Sequence, residues 1–120
     1  MNGGKLITES SKGEFRRRLY FLTLKLIEFI DQLPKDTVSQ RMGDELFNSG
    51  TSVISNYIEA TSASEKKDMK NYTNSSLKFA NECKLWLALV RDSKRAKPEK
   101  VKWFLDELDE ISKILSESMN

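Results

Sequence analysis

At 120 residues, with 38% hydrophobic and 32% charged side chains, the chain has the size and balance of one soluble domain and excludes a two-domain enzyme. It holds no histidine and one cysteine, Cys83, so the commonest general base is missing and an internal disulfide or an all-cysteine metal site cannot form. No apolar run approaches the ~20 residues of a membrane span, and the start lacks a signal-peptide core; the expectation is a cytoplasmic protein in a reducing setting, without membrane, metal or cofactor. Net charge is only +2, but it is unevenly spread: residues 65–102 hold eleven basic residues against five acidic, and residues 103–120 hold one against five.

Residues 1–13, with three glycines and several Ser, Thr and Lys, read as a flexible arm, and residues 14–120 as a four-helix bundle. Leu19, Leu22, Leu26, Phe29, Ile30 and Leu33 recur at three and four residues, the period of one helix face. The shorter alternation of Leu22, Leu24 and Leu26 would also suit a strand, but the helical pattern runs about five turns, beyond ordinary strand length. Pro34 ends this helix. Asp36 or Thr37 opens the next, where Thr37 and Gln40 fit a capping box, and Met42, Leu46, Ser49, Val53, Asn56 and Ala60 form a seam. Ser64 can cap a third helix with the seam Met69, Thr73, Ser76, Ala80, Cys83, Leu87 and Val90. Pro98 suits the first turn of a fourth, which carries Val101, Phe104 or Leu105, Leu108, Ile111 and Leu115. The fold class is therefore all-α, an up-down-up-down bundle.

Helices two and three hold a more specific pattern. Ser49-Gly50-Thr51-Ser52-Val53, Asn56, Glu59-Ala60, Ser64, Lys67, Asp68, Leu77-Lys78, Ala80, Glu82 and Trp86-Leu87 resemble the signature of the ribosomal RNA intervening-sequence proteins. The accessory variability proteins of diversity-generating retroelements are similar to that family. The resemblance implies a homopentameric ring of bundles, and a basic surface that works with RNA, DNA or a reverse transcriptase. Asn48 stands where relatives often carry Arg, which removes a charge. Phe79 stands where they often carry Glu, which changes the exposed face of the third helix.

Each constellation has a structural and a functional reading. Small residues Ser49, Gly50 and Ser52 should face Ser76, Ala80 and Cys83, allowing close helix approach or, alternatively, a ligand channel. Asn56 on the seam should fix helix pairing, and Ser49, Ser52, Asn56 and Glu59 together make a polar seam. Glu59 and Glu82 lie too far apart along the bundle, by roughly 20 Å at 1.5 Å per residue, to form a catalytic pair. Asp106, Glu107, Asp109 and Glu110 could hold a cation, or balance Arg16, Arg17 and Arg18 at the adjoining end of the first helix. Cys83 has no base to activate it, and no phosphate loop or serine elbow is present, so no enzyme is expected.

Two interaction surfaces follow. Tyr72, Phe79 and Trp86 recur at seven-residue spacing along one flank of the third helix, beside the run Leu85 to Val90, which is apolar nearly all round; with Leu85 and Leu89 they suit a subunit interface, or extra core. Arg91, Lys94, Arg95, Lys97, Lys100 and Lys102 oppose only Asp92 and Glu99, a patch suited to phosphate backbones or a merely solvated loop. The sequence thus points to a non-catalytic oligomeric binding module that contacts nucleic acid, against a protein-interaction scaffold that does not.

Overall fold

Four helices follow one another: α1 Glu9–Asp31, α2 Thr37–Ser62, α3 Lys66–Asp92 and α4 Pro98–Ser118. The structure, a computed structural model, describes the backbone of residues 9–119 and the side chains of residues 12–119. Most of the arm assigned to residues 1–13 lies outside the described residues, but helix begins at Glu9, before the boundary expected. Phe15 docks edge-on against Tyr57 of α2, ring centroids 4.9 Å apart; this anchors the early turns of α1 despite the propensity cost of Gly13.

Each helix packs on its sequence neighbour, α1 on α2, α2 on α3 and α3 on α4, while α1 and α4 meet least. This is the sequential up-down bundle. At 1.5 Å per residue the 27 residues of α3 span about 40 Å, which sets the 44 Å long axis of the molecule. The residues that alternate at 22–26 lie inside α1, where tertiary packing of the 3.6-residue stripe prevails over the local alternation.

The core matches the apolar periodicity closely in three helices. Leu19, Leu22 and Leu26 of α1, Ala80, Cys83, Leu87 and Val90 of α3, and Val101, Leu108, Ile111 and Leu115 of α4 are all buried. In α2 the buried stripe runs instead through Ser39, Gly43, Leu46, Ser49, Gly50, Val53, Tyr57 and Ala60. Met42 and Asn56, placed on the seam by sequence, are only half-buried flanks. The reason is that α2 lies between two neighbours and receives α1 over its glycines: a Cβ at Gly43 would meet Ile30 Cγ2 at 3.2 Å, and one at Gly50 would collide with Leu26 Cδ2. Contact through a missing side chain carries no hydrophobic signal.

Helix ends also depart from expectation in detail. The α2 cap is Asp36, whose carboxylate accepts from the Ser39 amide at 3.0 Å and from the Ser39 hydroxyl at 2.8 Å, so Thr37 and Gln40 form no capping box. At α3 the cap position is Glu65, not Ser64, and no side chain bonds the first turn. Pro98 opens α4 as its sequence position requires. The α3 terminus closes with the Arg95 amide donating to the Val90 carbonyl and Lys94 to Arg91, both at 3.0 Å, a paired closure in which Lys94 takes the left-handed conformation, φ 63°.

Candidate nucleic-acid interface

The basic stretch from Arg91 to Lys102 covers the last turn of α3, the connecting loop and the first turns of α4. That end of the bundle also holds the start of α2. The six cations assigned to phosphate contact divide by their partners. Arg95 turns inward: its Nε donates to Ser39 Oγ at 2.8 Å and its Nη2 lies 3.5 Å from Asp36 Oδ1. It ties the loop to the α2 cap, so that its guanidinium is engaged within the chain. Arg91 grips its neighbour Asp92, Nε to Oδ1 at 2.9 Å, which raises the guanidinium pKa and lowers that of the carboxyl. Lys102 pairs with Asp106 at 2.6 Å one turn on, and Lys100 Nζ donates to Gln32 Oε1 at 3.3 Å. Among the described residues no carboxylate pairs with Lys94 or Lys97, and both are exposed.

Asp36 is held down to about 2, chiefly by the Ser39 amide and hydroxyl and then by Arg95. The cap therefore stays charged at any physiological pH.

Beside this patch, α1 and α4 leave a groove of ≈ 270 Å³ lined by Lys25, Glu28, Phe29, Gln32, Lys100, Trp103 and Phe104. Its walls are aromatic. Phe29 and Phe104 tilt together with centroids 5.2 Å apart, and Trp103 stands edge-on to Phe104 at 5.0 Å and to Phe21 at 6.3 Å. Lys25 Nζ sits 5.5 Å from the Phe21 ring centroid. Nothing in the residue spacing announced this groove. It depends on how far apart α1 and α4 stand.

The apolar surface splits in a way the sequence only half revealed. Of the five α3 residues assigned to a subunit interface, Tyr72, Leu85 and Leu89 are exposed, whereas Phe79 and Trp86 pack against the core. A second surface was missed. Tyr20, Phe21, Leu24 and Ile27 of α1 are exposed, and Tyr20, Phe21 and Leu24 join Ile54 and Ile58 of α2 around a groove of ≈ 390 Å³ rimmed by Arg16 and Arg17. The signal was present in the unbroken apolar run from Leu19 to Leu22, followed by Leu24 and Leu26, which no single helix face can bury.

The polar seam is likewise redistributed. Ser49 is buried and bonds back to the Glu45 carbonyl at 2.8 Å. Asn56 Nδ2 donates to the Ser52 carbonyl of its own helix at 2.8 Å, Ser52 is half-buried, and Glu59 is exposed. Between α2 and α3, Ser76 Oγ donates to the Val53 carbonyl at 2.7 Å, and Ser49 shares a hydrogen bond with Cys83. Asn56 and Glu59 are thus corrected to intrahelical and solvent-facing roles, because the true stripe passes through Tyr57. Cys83 lies between α2 and α3, 3.9 Å from where a Gly50 Cβ would stand, and burial pushes its thiol up to about 12; it is an inert core group. The acidic run of α4 meets cations: Arg18 clasps Glu107 through two bonds, at 2.7 and 2.9 Å, Lys84 meets Asp109 at 3.1 Å, and Lys113 lies 3.9 Å from Glu110. Glu107 raises the Arg18 pKa, first through the hydrogen bond.

Residues 12–117 match the profile of the 23S rRNA-intervening sequence protein family. The chain belongs to this family. A solved relative of the intervening-sequence protein agrees in shape: the crystal structure of a protein of unknown function from the S23 ribosomal protein family of Bacteroides thetaiotaomicron superposes with a TM-score of 0.82 at 25% identity, covering 88% of this chain and 94% of that one. No curated protein matches the chain significantly. No helix among the described residues is long and apolar enough to cross a membrane.

Proposed function

We propose that this intervening-sequence family protein is a non-catalytic, self-associating bundle that serves as an accessory or binding module and contacts nucleic acid through the α3–α4 end. The partner would be RNA, DNA or an RNA–protein complex such as a reverse transcriptase. The observation that carries the reading is the exposed cationic arc Lys94, Lys97, Lys100 and Lys102. Phosphate backbones reward such an arc by releasing counterions. Lys94 adds to this, because it holds a charge at a left-handed position where glycine would avoid a backbone cost of about 1 kcal/mol. Self-association draws support from two separate apolar surfaces, α1–α2 and α3, since unlike surfaces on one chain suit head-to-tail closure into a ring; sedimentation near five times the chain mass is expected of a pentamer.

The test replaces Arg91, Lys94, Lys97, Lys100 and Lys102 by Gln and leaves Arg95 in place to hold the loop. Binding to RNA should weaken alike for all sequences, and the slope of log affinity against log salt should flatten by about one per lost phosphate contact. If the unaltered protein retains no RNA or DNA at low salt, the competing scaffold reading replaces this one. That reading is favoured by the exposed Tyr20, Phe21 and Leu24 groove, and apolar docking there would respond little to salt.

A further inference from the structure

We infer that the groove between α1 and α4 stacks an unpaired base on Trp103, so that the nucleic acid taken by the basic end is single-stranded. The inference rests on the reading of that end as a nucleic-acid surface, and it adds the form of the partner. Trp103 is 42% exposed and stands one turn after Lys100 on α4, with which it lines the groove. Its near-perpendicular contacts with Phe21 and Phe104, interplanar angles 77° and 89°, fix the indole before any partner arrives. A ring fixed in advance loses little conformational freedom on binding.

The charge around the ring is arranged for a base with its phosphates to one side. Lys25 and Lys100 line the groove, and Lys97 stands one turn before Lys100 at the exposed start of α4. Glu28 lines the same groove and repels phosphate, while Glu28 and Gln32 together offer acceptors and an amide donor to a base edge. The backbone is thereby directed along the lysines and the base toward the aromatic wall. At ≈ 270 Å³ the groove is just below the ~300 Å³ of the smallest ordinary ligand clefts, room for one planar ring system and too little for a docked helix. Bases inside a duplex are stacked on their neighbours and cannot enter it, whereas unpaired bases stack on aromatic side chains irrespective of sequence.

The experiment measures affinity for a 15-nucleotide mixed-sequence RNA, as a single strand and as a blunt duplex, for the unaltered protein, Trp103→Leu and Trp103→Phe, with thermal melts to confirm folding. Trp103→Leu should lose about tenfold on the single strand, the scale of one base stacked on a ring, and keep its duplex affinity; Trp103→Phe should restore most of the loss. Unchanged single-strand affinity in Trp103→Leu, or an equal loss on both forms, overturns the stacking assignment while the basic-surface reading stands. Absence of binding to either form by the unaltered protein overturns both. A melt showing that Trp103→Leu is unfolded transfers the decision to Trp103→Phe and to Gln32→Leu, which should lower single-strand affinity alone; no selective loss in either overturns the assignment.

Discussion

Between α2 and α3 small side chains meet: Ser76 Oγ donates to the Val53 carbonyl at 2.7 Å, and Ser49 shares a hydrogen bond with Cys83. Between α1 and α4 the facing groups are Phe21, Phe29, Trp103 and Phe104, with Arg18 and Glu107 clasped further along. Small residues let two backbones approach and seal the first seam. Rings and a long ion pair hold the second pair of helices apart, and the gap becomes a groove. The same bundle therefore keeps a closed side that contributes stability and an open side with room for a ligand, as stability is unevenly distributed in most folds.

The sharpest test of that contrast is a pair of truncations. Leu87→Ala empties a fully enclosed site and should cost about 3 kcal/mol. Phe29→Ala removes more atoms but opens onto the groove, where water enters the vacated space, so its cost should be no greater. Urea melts that show Phe29→Ala as clearly the more damaging would mean that the α1–α4 side is as closed as the other.

Next in size, Ser76→Ala deletes the hydroxyl-to-carbonyl bond from α3 to α2. The Val53 carbonyl stays within its own helix ladder, so the loss should be about 1 kcal/mol; an unchanged melting midpoint would show that close packing alone holds the seam. On the open side, a double-mutant cycle on Arg18→Ala and Glu107→Ala should give a coupling of about 1 kcal/mol or less, shrinking in high salt, since the pair is only partly buried. A coupling insensitive to salt would place that pair in a drier seam than the geometry indicates.

The smallest effect concerns the loop beside the groove. Asp36 is held at about 2, below its unfolded value near 4, so its contribution is fully present above the unfolded value and lost as pH falls toward 2. Asp36→Asn keeps an acceptor for the Ser39 amide but discards the charge facing Arg95. The difference in melting midpoint between the two proteins should be present at pH 5 and shrink as pH falls from about 4 through 2. A difference constant over that range would assign the effect to cap geometry and leave the charge without a role.

Much of this architecture is written in local pattern. Leu19, Leu22, Leu26, Leu87, Val101, Leu108 and Leu115 declare their burial by three- and four-residue spacing, and Pro34 and Pro98 mark boundaries because proline lacks the amide that a helix interior requires. The family signature across α2 and α3 is legible for the same reason, being carried by residues fixed in spacing. The α2 stripe was misplaced at Asn56 because Gly43 and Gly50 act by the volume they leave empty, and a hydrophobicity pattern counts them as nothing. Arg95 looked like its basic neighbours until the fold brought Ser39 and Asp36 within its reach, more than fifty residues away in sequence.

The sequence by itself determined the four helices, their apolar stripes and the concentration of positive charge between residues 91 and 102, since these depend on residue type and spacing along one chain. Only the tertiary structure decided which of these cations meet a carboxylate, that Tyr20, Phe21 and Leu24 face solvent, and that Trp103 stands in a groove with Lys25 and Gln32. Those properties belong to distances between helices, and the separation of α1 from α4 is set by the packing of all four together.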